Sequence, residues 1–171
     1  MSILMKIITG IAVVAVMLII IILVMAVIHD REISAKVETL KSIDKDKKKD
    51  RVDFSRLEGL PRPVQQYFRM ALKDGQQYIH MVKIEQEGEL TTAPEAEEFL
   101  PFTATQHVNA MDPGFTWNAK ISMAPILHIR VVDSYLDGNA GGKVILQSAF
   151  TVDSQKDTDR LNSGALYRYL A

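Results

Sequence analysis

The chain opens with a continuous apolar segment, residues 7–28, in which no side chain is ionisable. A helix over this segment, from Ile7 to Ile28, would be about 33 Å long, and the hydrocarbon core of a bilayer is roughly 30 Å thick. An apolar helix of this length is rarely the core helix of a soluble domain. The pattern therefore predicts a short tail at residues 1–6 and a transmembrane helix that holds the chain in a lipid bilayer.

The sequence leaves two alternatives for the cleavage of this anchor and two for its orientation in the membrane. Val24 and Ala26 fit the small-residue rule of signal-peptide cleavage, but the apolar run exceeds the usual ~7–15 residues, which favours an uncleaved anchor. Lys6 is the only ionisable side chain before the span, whereas several basic residues follow it between positions 31 and 49. By the positive-inside rule, this distribution would place the rest of the chain in the cytoplasm.

Residues 29–59 are predicted to form a juxtamembrane helix and a charged linker. Apolar residues at helical spacing continue the membrane helix toward water, at Ile33, Val37, Leu40 and Ile43. Every residue from 44 to 51 is charged, so this segment cannot bury anything and is typical of an exposed linker. A lipid-binding basic patch is the alternative, and the interleaved acidic residues weaken it.

A short amphipathic helix is predicted within residues 60–75. Pro63 suits a first helical turn, where its missing N–H is no loss, and Gly75 suits the end of the helix. Apolar residues between them follow helical spacing, at Val64, Tyr67, Phe68, Ala71 and Leu72. We expect this helix to pack on a sheet.

From Tyr78 onward, apolar residues recur at every second position. The alternation is clearest at 102–110 and 115–123, and it continues at 127–131 and 144–152. Turn-forming residues separate these segments, so the pattern predicts about five strands in an antiparallel meander. A further helix is expected to start at Ser163. The predicted fold is α+β: residues 60–171 form a mainly β domain in which a curved antiparallel sheet, in the manner of an incomplete half-barrel, carries a short packed helix.

Composition narrows the chemistry. The chain has 20 basic and 21 acidic residues and a net charge of -1, so no bulk field attracts nucleic acid, and none is expected as a partner. Cysteine is absent, which excludes disulfides, cysteine-ligated metals and thiol nucleophiles.

No catalytic residue, metal site or cofactor is predicted. His80, His107 and His128 lack metal-ligand spacing, and alternation places His107 on the polar side of its strand, so we expect all three to face solvent. Asp133 and Asp137 lie near glycines but lack the twelve-residue calcium pattern.

Three aromatic residues are the candidates for ligand binding. Phe102, Phe115 and Trp117 fall on the apolar side of adjacent predicted strands. A concave sheet could use them to enclose an apolar ligand, and the alternative is that they are ordinary core residues.

Six segments occur together and in order: PRPVQQYFRMAL, QEGEL, PFTATQ, PGFTWNAKISMAP, VVDSYLDGNAGG and LYRYLA. In these segments, from Leu60 to Ala171, the chain resembles a prokaryotic family of membrane-anchored proteins of unknown function. In that family, the last segment is usually followed by an acidic residue, a tryptophan, a proline and more strands, so the resemblance implies a C-terminally truncated member. It also favours a domain outside the cytoplasm and implies no reaction.

The sheet pattern is similar, by analogy only, to the half-barrel of lipoprotein carriers. The leading hypothesis is therefore a single-pass membrane-anchored protein whose β domain binds an apolar ligand or an envelope protein. The alternatives are an enzyme fragment that lacks the half completing its site, and a truncated product without function.

Overall fold

The computed structural model describes residues 2–43, 51–91, 95 and 97–170. Its helices are α1 (Ile3–Ser42), α2 (Arg62–Ala71) and α3 (Asp159–Leu170), and a short 3-10 helix covers Phe54–Leu57. Its strands are β1 (Met81–Leu90), β2 (Leu100–Asn109), β3 (Gly114–Ala124), β4 (Leu127–Leu136), β5 (Asn139–Leu146) and β6 (Phe150–Lys156). Each strand pairs antiparallel with the next, in the order β1-β2-β3-β4-β5-β6. The predicted α+β fold with an antiparallel meander is confirmed.

Helix α1 is a single helix of 40 residues that runs through the predicted span and the juxtamembrane segment without a break. Ser2 caps its start by accepting a hydrogen bond from the Met5 amide, and the Thr9 hydroxyl donates to the Met5 carbonyl at 2.8 Å. Within the described residues, α1 is the one helix long and apolar enough to cross a membrane. Apart from Arg51, the predicted charged linker at 44–51 lies outside the described residues.

The sheet has six strands where about five were expected, because the predicted last strand is a hairpin. Gln147 and Ser148 adopt left-handed backbone conformations, with φ of 51° and 56°, and the Ala149 amide donates to the Leu146 carbonyl across the turn. Non-glycine residues rarely adopt this conformation. The turn therefore carries no glycine, proline or asparagine that the sequence pattern could have used.

Helix α2 does not take the place predicted for it on the sheet. None of its residues is buried, and the Arg69 guanidinium lies 5.0 Å from the centre of the Phe54 ring instead. Backbone hydrogen bonds from Val52 to Gln76 and from Gly75 to Val52 tie the end of this segment to the chain that precedes it. The helices that lie on the sheet are α1 and α3, and α3 begins at Asp159 rather than at Ser163.

The C-terminal part of α1 covers one side of the sheet, which we call the anchor face. It comprises Asn109, Thr116, Arg130, Val132, Ser134, Lys143 and Ile145. The Lys36 ammonium donates to the Ser134 hydroxyl at 3.0 Å, and the Asn109 amide donates to the Leu40 carbonyl at 3.3 Å. Leu40 itself is fully buried, and its Cδ1 would lie 2.7 Å from a Cβ at Gly114. This side of the sheet, which was expected to face solvent, is in large part a helix-binding surface.

Candidate ligand-binding groove

The opposite side of the sheet, the apolar face, presents four rows of side chains across strands β1 to β5. The first row is Val82, Val108, Phe115, Tyr135 and Ala140, and the second is Ile84, Gln106, Trp117, Asp133 and Gly142. The third row is Gln86, Ala104, Ala119, Val131 and Val144, and the fourth is Gly88, Phe102, Ile121, Ile129 and Leu146. The rows follow from the antiparallel register, in which directly opposite residues point to the same side.

Helix α3 covers the first row. Phe115 is 2% exposed and forms the centre of a core with Tyr135 and Ala140. Four residues of α3 pack on this core at helical spacing, Leu161, Ala165, Leu166 and Tyr169. The Tyr169 hydroxyl donates to the Asn109 carbonyl at 3.0 Å. Phe115, one of the three aromatic candidates, is therefore buried beneath α3.

Arg168 marks the boundary between the covered and the uncovered rows. Its guanidinium lies 5.1 Å from the ring centres of both Phe115 and Trp117, and it donates to the Asp133 carboxylate at 2.8 Å. A cation over aromatic rings is attracted by their negative faces. These contacts hold the C-terminal end of α3 against the second row.

The other two candidates, Phe102 and Trp117, meet over the third row. Their ring centres are 6.3 Å apart, and the Trp117 indole donates to the Gln86 side-chain oxygen at 2.7 Å. Ala104 and Ala119, between them, are 7% and 0% exposed. The structure thus brings Phe102 and Trp117 together and places Phe115 in the adjacent core.

A groove lies between α3 and strands β4 and β5. One part is a cavity of about 490 Å³ between Phe115 and Arg168, with Ala140 and Gly142 in its floor and Leu161 in its wall. A second cavity, of about 190 Å³, extends it toward Val131 and Val144. The two cavities share Asp133, Gly142, Gln155 and Leu161. They therefore form one groove beneath α3, in which apolar side chains alternate with polar ones such as Asp133 and Gln155.

Glycine at position 142 leaves the groove floor open. A Cβ there would meet only the Asp133 carboxylate, at 3.4 Å, and the backbone is not in the left-handed region. A larger side chain at Gly142 would therefore be accommodated by the backbone and would occupy the groove. Arg160 and Arg168 lie at the rim and are exposed, so the opening carries two guanidinium groups, one of which is paired with Asp133.

The sequence pattern missed the α3 half of this groove. Leu161, Ala165 and Tyr169 recur every four residues, a spacing that indicates one face of a helix. The start expected at Ser163 left Leu161 outside the helix, and the small residues of the floor, Ala140 and Gly142, belonged to a segment interpreted only as a turn.

His80, which precedes β1, and the strand residues His107 and His128 are half-buried, which corrects the expectation that all three face solvent. Burial, followed by the nearby charges of Lys120 and Arg130, lowers the pKa of His128. One of its ring nitrogens lies 3.0 Å from the Ser148 hydroxyl. Burial also lowers the pKa of His107. Among the residues that the structure describes, no three histidine or carboxylate side chains are grouped so that they could hold a metal ion.

The fold defines the class of protein: an α+β domain with an open antiparallel sheet, carried on a long apolar N-terminal helix. Residues 58–171 match a family of unknown function, DUF6920, and the chain belongs to that family. The resemblance to a family of unknown function is thereby confirmed for this part of the chain. Comparisons with curated proteins and with solved structures gave no match.

Proposed function

We propose that this protein is anchored in a membrane by α1 and binds an apolar ligand, an acyl chain that carries an anionic group, in the groove beneath α3. The anchor is supported by the length and composition of α1, whose apolar part has a mean hydropathy of 3.6 and is exposed over most of its length. A helix this apolar satisfies its own backbone and is stable in hydrocarbon.

The groove is the observation that carries the ligand proposal. Its larger cavity, at about 490 Å³, falls within the roughly 300–1,000 Å³ that small-molecule sites occupy. Apolar side chains from both α3 and the sheet line it, among them Phe115, Leu161 and Ala165. The extension toward Val131 and Val144 gives it an elongated shape, which suits an acyl chain better than a compact ligand.

Two arginines at the rim of the groove would bind the anionic group of the proposed ligand. Arg168 is held in place by Asp133 and by two aromatic rings, and Arg160 lies on the same helix two turns earlier. A guanidinium binds a carboxylate or a phosphate through parallel charge-assisted hydrogen bonds. A ligand whose chain lies on Gly142 would bring its head group to this pair of arginines.

Fluorescence of Trp117, the single tryptophan of the chain, tests the proposal, because Arg168 contacts both the indole and the groove. A brominated fatty acid added to the full-length chain in detergent micelles should quench this fluorescence in a saturable manner. The variant Gly142→Val fills the groove floor and should abolish the saturable part, whereas Ser154→Val, on the exposed strand β6, should leave it intact. Equal quenching of the wild type and Gly142→Val would mean that the fatty acid acts from the micelle, and the proposal would be wrong.

We place the β domain outside the cytoplasm, as the family resemblance favours. Because the chain has no cysteine, a single Met70→Cys variant gives an unambiguous label, and Met70 is 83% exposed on α2. An impermeant maleimide should label intact cells that carry this variant. Labelling only after lysis would place the domain in the cytoplasm, and release of the chain by alkaline carbonate would contradict membrane anchorage itself.

A further inference from the structure

The way α1 lies on the anchor face determines which end of the sheet faces the membrane. Asp30 pairs with Arg130 at 2.7 Å, and Lys36 bonds to Ser134. As α1 proceeds toward its C-terminus, its partners on β4 therefore move away from the β3–β4 turn. The apolar part of α1, which precedes Asp30, therefore extends toward and past that turn.

Exposure along α1 shows how far the sheet extends beside it. Ile22, Met25 and Ala26 are half-buried and His29 is buried, at spacings of three and four residues, whereas Leu23 is 61% exposed. The covered residues form one stripe with the part of α1 that lies on the sheet. The end of the sheet thus reaches the level of Ile22, about 9 Å along the helix from the end of the apolar segment at Ile28.

The β3–β4 turn presents exposed apolar side chains at this end. Ile126 is 87% exposed, Met123 45% and Leu127 37%. The β5–β6 turn lies at the same end of the meander, with Phe150 45% exposed. Apolar side chains grouped at the tip of a hairpin are unfavourable in water and favourable at a lipid surface.

We propose that this turn, residues 123–127, is seated in the interface of the lipid bilayer that α1 crosses, as a second point of membrane contact. The inference rests on the proposed anchorage by α1. The contacts of α1 with Arg130 and, through the buried Leu40, with the anchor face set the depth of the turn relative to the part of α1 that crosses the bilayer. A tight hairpin keeps its own backbone hydrogen bonds, which a shallow apolar environment requires.

Seating the turn has a consequence for the groove. The fourth row of the apolar face, with Ile129 and Leu146, lies next to the β3–β4 turn, and the groove opens toward Val131 and Val144 in the third row. A ligand could then pass from the bilayer to the groove along apolar side chains. The adjacent β1–β2 connection carries the exposed acids Glu97 and Glu98 beside Phe99, which is 62% exposed.

Depth-dependent quenching tests the seating. The full-length Ile126→Cys variant, labelled with the fluorophore NBD and reconstituted into phosphatidylcholine vesicles, should lose fluorescence when shallow spin-labelled lipids are included. The matched control is Asn139→Cys at the start of β5, which is exposed at the opposite end of the sheet. Its NBD group should be unaffected by the same lipids. Equal behaviour of the two labels would overturn the proposal.

Flotation of the same vesicles tests the anchorage by α1 independently of the seating of the turn. If the labelled chain floats with the vesicles and the Ile126→Cys label is not quenched, the seating is wrong and the anchor stands. If the chain does not float, the anchorage fails, and the seating fails with it.

Discussion

Each face of the sheet carries a helix over part of its area, and the contacts of the two helices differ in kind. On the anchor face, α1 is bound by polar contacts at intervals along its length, from Asp30 with Arg130 to Leu40 with Asn109. On the apolar face, α3 packs on Phe115 and Tyr135 mainly through apolar and aromatic side chains, and Arg168 and Tyr169 add polar contacts near its C-terminal end. The polar contacts of α1 select one position and direction of that helix on the sheet. The packing of α3 contributes mainly buried apolar area.

The exposure of the charged groups on α1 indicates that its ion pairs determine its orientation more than its stability. Asp30 and Glu32 are 60% and 47% exposed in their ion pairs, and such pairs contribute about 1 kcal/mol or less. The free energy that holds α1 on the sheet therefore comes from a few apolar residues, above all Leu40 and Val37, which are 0% and 8% exposed. The polar pairs orient the anchor relative to the β domain, which is the property that the proposed membrane seating requires.

Phe115→Ala should have the largest effect on the apolar face. Removing a fully buried phenylalanine costs about 3–5 kcal/mol in the free energy of unfolding, which chemical denaturation in detergent micelles would measure. Hydrogen exchange should accelerate in α3 more than in the C-terminal part of α1. The control Val152→Ala changes a residue that is 60% exposed and should leave both quantities nearly unchanged.

Leu40→Ala should weaken the anchor face, with a cost of about 2–4 kcal/mol because the leucine is fully buried against the sheet. Hydrogen exchange should now accelerate between residues 29 and 42 and remain slow in α3. If the two substitutions loosened both helices equally, the faces would not be independent and the comparison drawn above would fail.

Lys36→Met should sharpen the distinction between orientation and stability. Burial, followed by the charges of Lys143 and Lys156, lowers the pKa of Lys36, so its protonated form is disfavoured in the folded state. Methionine retains the packing and removes this penalty, and the free energy of unfolding should rise or stay within about 1 kcal/mol at neutral pH. A loss of several kcal/mol would show that the hydrogen bond to Ser134 holds α1 in place.

The smallest effect should be a pH dependence from His107 and His128. Both have a pKa lowered below 6.5, mainly by burial, so the unfolded chain binds protons more readily than the folded one. Stability should therefore be complete above pH 6.5 and decline as the pH falls below that value. Thermal unfolding between about pH 7.5 and 5 should show this slope, and the double variant His107→Gln, His128→Gln should flatten it. If the double variant kept the pH dependence of stability of the wild type, groups other than these two histidines would be responsible for it.

Much of the fold could be predicted because it depends on local periodicity. The apolar run ending at Ile28 and the alternation through Trp117 each indicate their element over a short window, and both elements are present. The hairpin at Gln147 could not be predicted, since its left-handed positions hold Gln147 and Ser148 and not the glycine or asparagine that this conformation favours. The candidate site could be predicted in part: the pattern found the apolar face with Phe102 and Trp117, and it missed Gly142 and Arg168.

By itself, the sequence determined that this chain has an apolar helix long enough to cross a membrane, followed by strands with one apolar side, because each of these follows from the spacing of neighbouring residues. Only the tertiary structure decided which helix covers which face. Asp30 and Arg130 are 100 positions apart, and Asn109 is 60 positions from Tyr169. Contacts over such separations depend on the complementary surfaces of folded elements, and no local pattern records them.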